Sequence, residues 1–193
     1  MKLHPSVKPL LFCFCLTPLA VLVWGIAGQR LGPDPAEQIM HVTGEWAGRL
    51  LLATLLITPL RRRKGWGQLL QLRRMLGLFT FFYACCHLAM FAHFFLGWDA
   101  RRVLEELLER PYITAGFLAW LIMLPLALTS TNAMQRRLRA NWGRLHRGIY
   151  LVALLFILHI TWIARSDYGE VLVYAVPVLV LLGWRLRQRF SPR

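Results

Sequence analysis

The sequence predicts an all-α integral membrane protein: a six-transmembrane-helix bundle with both termini cytoplasmic. Three observations predict it. Hydrophobic residues make up 57% of the 193 positions, mean hydropathy is +0.48, and apolar runs long enough to cross a bilayer recur. The net charge of +14 comes from short basic clusters between those runs, the pattern of cytoplasmic loops. That pattern excludes nucleic acid as a partner and leaves membrane lipid. The nine acidic residues fall away from the basic clusters, in the opposite loops or at their edges.

Each element follows from the run of side chains. The N-terminus, MKLHPSVK, is short and basic. The first span covers about 9–27; no small-x-small cleavage site follows it, so it reads as a retained helix. The segment GQRLGPDPAEQIMHVTGE reads as an outer loop carrying His41. The second span is about 46–60, followed by RRRKGWGQLLQLRR, basic without an acid. The third is about 75–96. The connection GWDARRVLEELLERP mixes both signs and suits a short interfacial helix. The fourth span is about 112–129, followed by the basic STNAMQRRLRANWGRLHR. The fifth is about 148–164, the loop RSDYG turns the chain, and the sixth is about 171–184. The tail RLRQRFSPR is again basic. Lys2, Lys8, Arg61 to Lys64, Arg73, Arg74, the arginines of 136–147 and those of the tail thus share one side, which places it in the cytoplasm. The expectation is one transmembrane domain over 1–193, with no internal repeat and no attached soluble domain. Cys13, Cys15, Cys85 and Cys86 all lie in apolar runs. They read as packing residues rather than as a disulfide framework or a zinc site.

The histidines carry the chemistry. Imidazole inside an apolar helix is costly unless it has a task. The third and fifth spans both run outward from the cytoplasm. His87 lies about 12 residues into its span, ~18 Å deep, and His159 about 11 residues past Gly148, ~16 Å deep. Two imidazoles at one level on two helices can supply both axial ligands of a b-type haem. The bland alternative, a hydrogen bond between helices, explains one such residue more readily than a matched pair. His146 lies at the cytoplasmic end of the fifth helix, ~20 Å from His159 along the axis. It is a candidate ligand of a second haem, or a headgroup-facing residue beside Arg144 and Arg147. No histidine at matching depth on the third helix partners it. Arg49, one turn after Glu45, could clamp a haem propionate or simply pair with that glutamate. His93, about 120° round the helix from His87, reads as a helix-end residue, and His4 as a solvated one.

On these residues the chain resembles a known family. The segments LLATLLITPLRR, RRMLGLFTFFYACCHL, RPYITAGFLAW, LALTSTNAMQRRL and WGRLHRGIYLVA are similar, in order and over nearly the whole chain, to the MsrQ (formerly YedZ) family. This is the haem-binding membrane subunit family of bacterial methionine-sulfoxide reductase systems, within the ferric reductase and NADPH oxidase transmembrane superfamily. The resemblance implies that His87, His146 and His159 match the family's haem histidines. The superfamily usually has two histidines on each of two helices; here the inner position on the third is Arg or Met. The resemblance further implies an electron conduit in the bacterial inner membrane. Electrons would come from the quinone pool or a cytosolic flavin reductase and pass to a periplasmic molybdopterin enzyme, MsrP, that repairs methionine sulfoxide in envelope proteins. Haem b, one or two, is the implied cofactor, with FMN implied by resemblance alone. On this reading the chain is an electron-transfer subunit without a substrate-reducing site. The alternatives are a stand-alone ferric or quinone-linked cytochrome b, and, from a different class, a transporter or scaffold that uses its histidines for protons or packing.

Overall fold

The computed structural model describes residues 4–64, 67–164 and 168–190. Among them there is no strand. The chain runs through α1 (Val7–Ala27), α2 (Pro35–Lys64), a 3-10 turn (Gly67–Leu69), α3 (Leu70–Phe91), a π-helical turn (Ala92–Leu96) and α4 (Ala100–Glu109). It continues with α5 (Pro111–Leu128), α6 (Asn132–Leu138), α7 (Ala140–Leu145), α8 (Gly148–Ile163) and α9 (Gly169–Phe190). Lys2, Arg193 and residues 165–167 of the last predicted loop lie outside the described residues, as do the side chains of Arg62, Arg63, Lys64 and Arg189.

Five stretches among the described residues are long and apolar enough to cross a membrane: Val7–Ala27, Leu70–Leu96, Pro111–Leu128, Ala140–Ile163 and Gly169–Gln188. The shortest, 18 residues, spans about 27 Å as a helix, close to the hydrocarbon thickness. The second predicted span lies within α2, which is not among the five. Its charge-free part runs only from Leu50 to Leu60, with Glu45 and Arg49 before it and Arg61 after it.

The structure corrects the predicted outer loop. Helix α2 begins at Pro35, so His41 sits on a helix and not in a loop. Asp34 supplies the reason: its Oδ1 accepts from the Glu37 amide at 3.0 Å, an N-cap, and Pro35 at the first helical position loses nothing by lacking an N–H. The basic connection after the fourth span is also more ordered than a loop, forming α6 and α7; Thr131 caps α6 by accepting from the Met134 amide. The mixed-charge connection does form a short helix, α4. The third predicted span closes with the π-helical turn, which ends on Gly97 at φ 59°, a left-handed position that glycine takes without strain.

The chain forms two compact units, Met1–Val103 and Leu104–Arg193. In the first, α2 packs along α3, and α1 lies on both. Leu50, Ile57, Leu72, Leu76 and Phe79 form its core with Cys15 and Tyr83. The Tyr83 hydroxyl donates to the Cys15 carbonyl at 2.7 Å, which ties α3 to α1. Buried Thr43, Thr54 and Thr80 each donate to a carbonyl one turn back on their own helix, so their burial leaves no hydroxyl unsatisfied. In the second unit α5 packs on α8, and α9 on α8. Small buried residues, Ala115, Ala119 and Ala153, suit close helix approach in a bilayer, where van der Waals fit replaces the hydrophobic drive. Phe156 meets Tyr174 edge-on at 5.4 Å.

Candidate functional site

Two half-buried histidines, one in each unit, are held in the same way. His87 on α3 donates from Nδ1 to the Met40 carbonyl of α2 at 3.0 Å. His159 on α8 donates from Nδ1 to the Tyr112 carbonyl of α5 at 2.6 Å. The donor lies 47 residues after the acceptor in both cases. A carbonyl can only accept, so in the neutral ring Nδ1 carries the proton and Nε2 the lone pair. That is the tautomer a metal-binding imidazole adopts when a second group orients it.

The surroundings repeat as well. One turn after each acceptor comes a glycine, Gly44 after Met40 and Gly116 after Tyr112, and each histidine ring lies against it. The residue before each glycine, Thr43 or Ala115, is buried. Two turns before each histidine stands a buried β-branched residue, Thr80 or Val152. The two helix pairs, α2/α3 and α5/α8, are therefore variants of one motif. The sequence was expected to hold no internal repeat. What recurs here is a backbone acceptor, a glycine and a histidine at fixed spacing.

His146 is built differently. It closes α7, and its ring stacks on Trp142 at 4.0 Å. Its Nε2 lies 3.1 Å from the Thr129 hydroxyl. That hydroxyl has one proton and gives it to the Pro125 carbonyl at 2.6 Å, so its oxygen accepts from His146. Trp142 donates from Nε1 to the Thr129 carbonyl at 3.0 Å, which completes the cluster. Here Nε2 bears the proton, the reverse of His87 and His159.

The other candidates resolve into local roles. Arg49 pairs with Glu45 at 2.9 Å, with nearly half its side chain exposed, and its guanidinium lies over Trp46 at 5.3 Å. A propionate at Arg49 would share it with Glu45. His41 also reaches Glu45, at 3.6 Å. His93 accepts from Trp98 Nε1 at 3.3 Å at the end of the third span. Cys85 and Cys86 are half-buried thiols, and Cys13 and Cys15 are thiols as well.

Taken singly, His87 and His159 each have the chemistry of a haem-iron ligand, an imidazole fixed through Nδ1 with Nε2 as the ligating nitrogen. Both histidines are visible in the sequence; the parts played by Met40, Gly44, Tyr112, Gly116 and Thr129 emerge only from the structure. The glycines were the one readable signal, since each stands at the same distance before its histidine.

Residues 43–157 match the family described as ferric reductase like transmembrane component. The chain is 47% identical to the protein-methionine-sulfoxide reductase heme-binding subunit MsrQ of Xanthomonas axonopodis pv. citri (strain 306), over 97% of this chain and 89% of the relative. It is 47% identical to the MsrQ of Xanthomonas oryzae pv. oryzae (strain MAFF 311018), over 96% and 88%. To the MsrQ of Polaromonas naphthalenivorans (strain CJ2) it is 41% identical, over 95% and 85%. No solved structure matches the chain significantly. A helical membrane chain with a fixed imidazole in each half, alike over nearly its whole length to these relatives, belongs to the MsrQ family of the ferric-reductase-like transmembrane proteins.

Proposed function

We propose that this chain is the haem-carrying membrane subunit of a methionine-sulfoxide reductase system and conducts electrons outward across the bacterial inner membrane. The observation that carries the reading is the matched pair of histidines, each with Nδ1 bound to a carbonyl of the adjoining helix. A hydrogen bond between helices would account for one such residue more readily than for the same Nδ1 arrangement on both, which favours a metal-ligand role. Haem b, when bound, supplies one-electron redox chemistry. His87 and His159 would hold it through Nε2, with the Met40 and Tyr112 carbonyls fixing those rings and the apolar helices around them excluding water.

The topology that goes with this function is six spans with cytoplasmic termini, α2 included, and the two units acting as one haem-binding domain. The basic loops then face a cytosolic flavin reductase or the quinone pool as donor. The opposite face meets an MsrP-type periplasmic molybdopterin reductase. His146 stands at the cytoplasmic end, and a second haem there would have to be held through its Nδ1.

The test is the visible spectrum of detergent-purified protein. Reduction with dithionite should give b-type bands, and His87→Ala and His159→Ala should each abolish or convert them. Absence of bands in the unaltered protein refutes the haem reading. Bands that persist unchanged in both variants refute the ligand assignment.

A further inference from the structure

The close contact between each deep histidine and a glycine has a chemical consequence. A Cβ on Gly116 would stand 2.9 Å from both Nδ1 and Cε1 of His159 and 3.4 Å from its Cγ. A Cβ on Gly44 would stand 3.2 Å from Nδ1 and Cε1 of His87. In both helices the crowded atoms are those that flank the hydrogen bond to the carbonyl one turn earlier. A methyl group there would push the ring off its acceptor rather than merely tighten the packing. Met40 and Tyr112 share no side-chain chemistry, and each contributes only its backbone oxygen.

We propose that Gly44 and Gly116 are positioning residues for the iron ligands: by lacking a side chain, each admits a histidine ring to the Met40 or Tyr112 carbonyl and so sets its tautomer and orientation. The inference rests on the haem reading above. An imidazole that donates to a carbonyl is more basic toward the metal and favours the oxidised state. The glycines therefore hold the midpoint potential low, through atoms that touch neither iron nor porphyrin. A glycine serving helix packing alone would affect stability and leave the potential where it is.

The two contacts differ in tightness, which makes the test graded. Gly44→Ala and Gly116→Ala are compared with the unaltered protein and with Gly183→Ala, whose new Cβ meets nothing within 4 Å. The readouts are the midpoint potential of the purified protein in a redox titration and its low-spin ferric signature by electron paramagnetic resonance. Gly44→Ala and Gly116→Ala should both shift the midpoint upward and broaden or move the low-spin signal, Gly116→Ala more than Gly44→Ala. Gly183→Ala should match the unaltered protein. Should Gly116→Ala yield no folded protein, Gly44→Ala decides the matter by the same readouts. Unchanged midpoint and low-spin signal in the folded variants, with b-type bands intact, overturn this inference and leave the haem reading standing. An unaltered protein without such bands removes the haem reading and this inference with it.

Discussion

Replacing Tyr83 by phenylalanine separates two contributions that α3 makes in holding α1. The side chain is fully buried, at 0% exposure. Its ring lies 5.4 Å from Phe82 and 6.4 Å from Trp46, and its hydroxyl reaches the Cys15 carbonyl at 2.7 Å. Tyr83→Phe keeps the ring and deletes the bond. Hydrogen bonds between helices in a membrane are worth about 0.6 kcal/mol on average and up to ~1.7 kcal/mol, because the undocked helix finds other partners. Tyr83→Ala also removes the ring and leaves a cavity, which costs ~3–5 kcal/mol in a well-packed core. Tyr83→Ala should therefore cost about two to eight times as much as Tyr83→Phe. Reversible unfolding in mixed micelles, followed by circular dichroism, measures both. A Tyr83→Phe loss equal to that of Tyr83→Ala refutes the partition, since the bond would then be holding the helix alone. A loss of zero refutes the contribution assigned to the bond.

Four further outcomes follow from particular contacts. Asp34→Ala should fray the start of α2 at a cost of ~1 kcal/mol, seen as faster hydrogen exchange at the Glu37 and Gln38 amides. Glu45→Gln should change stability by less than ~1 kcal/mol, because the pair with Arg49 is half in solvent; unfolding in the same micelles checks it. Ala153→Leu, at a position with 0% exposure, should overpack the second unit and cost ~1–3 kcal/mol by that assay. Thr129→Val should remove the acceptor of His146 and shift the nitrogen-15 resonance of its Nε2; an unchanged resonance would show that the Thr129 hydroxyl does not hold the ring.

Much of the fold was legible because bilayer physics writes long signals. A helix that crosses lipid must be apolar for about 20 residues, and the predicted spans 9–27 and 112–129 fall within one or two residues of α1 and α5. The start of α2 was missed although its signal was present: in Asp34-Pro35-Ala36-Glu37 the cap and the first-turn proline are both explicit. The abundance of Gly, Pro and Asp nearby weighed toward a loop. The second predicted span, within α2, is not among the stretches apolar enough to cross a membrane, with Glu45 and Arg49 one turn apart at its start. The deep histidines stood out by chemistry alone. Their acceptors could not, since a backbone carbonyl leaves no trace in a residue's name. For His146 the stack on Trp142 was readable as neighbours one turn apart, whereas the Thr129 contact required the chain to fold back from α5.

The hydrogen bonds within this protein also imply an order of biogenesis. Thr43, Thr54, Thr80 and Thr161 bond to carbonyls of their own helices. A helix carrying only such hydroxyls can leave the translocon with its polar groups already satisfied. His87 and His159 cannot, because their acceptors belong to another helix. In both cases that acceptor is synthesised first, 47 residues ahead, so it is in place when the imidazole emerges. Ribosomal order thus makes each acceptor available before the imidazole that uses it is synthesised.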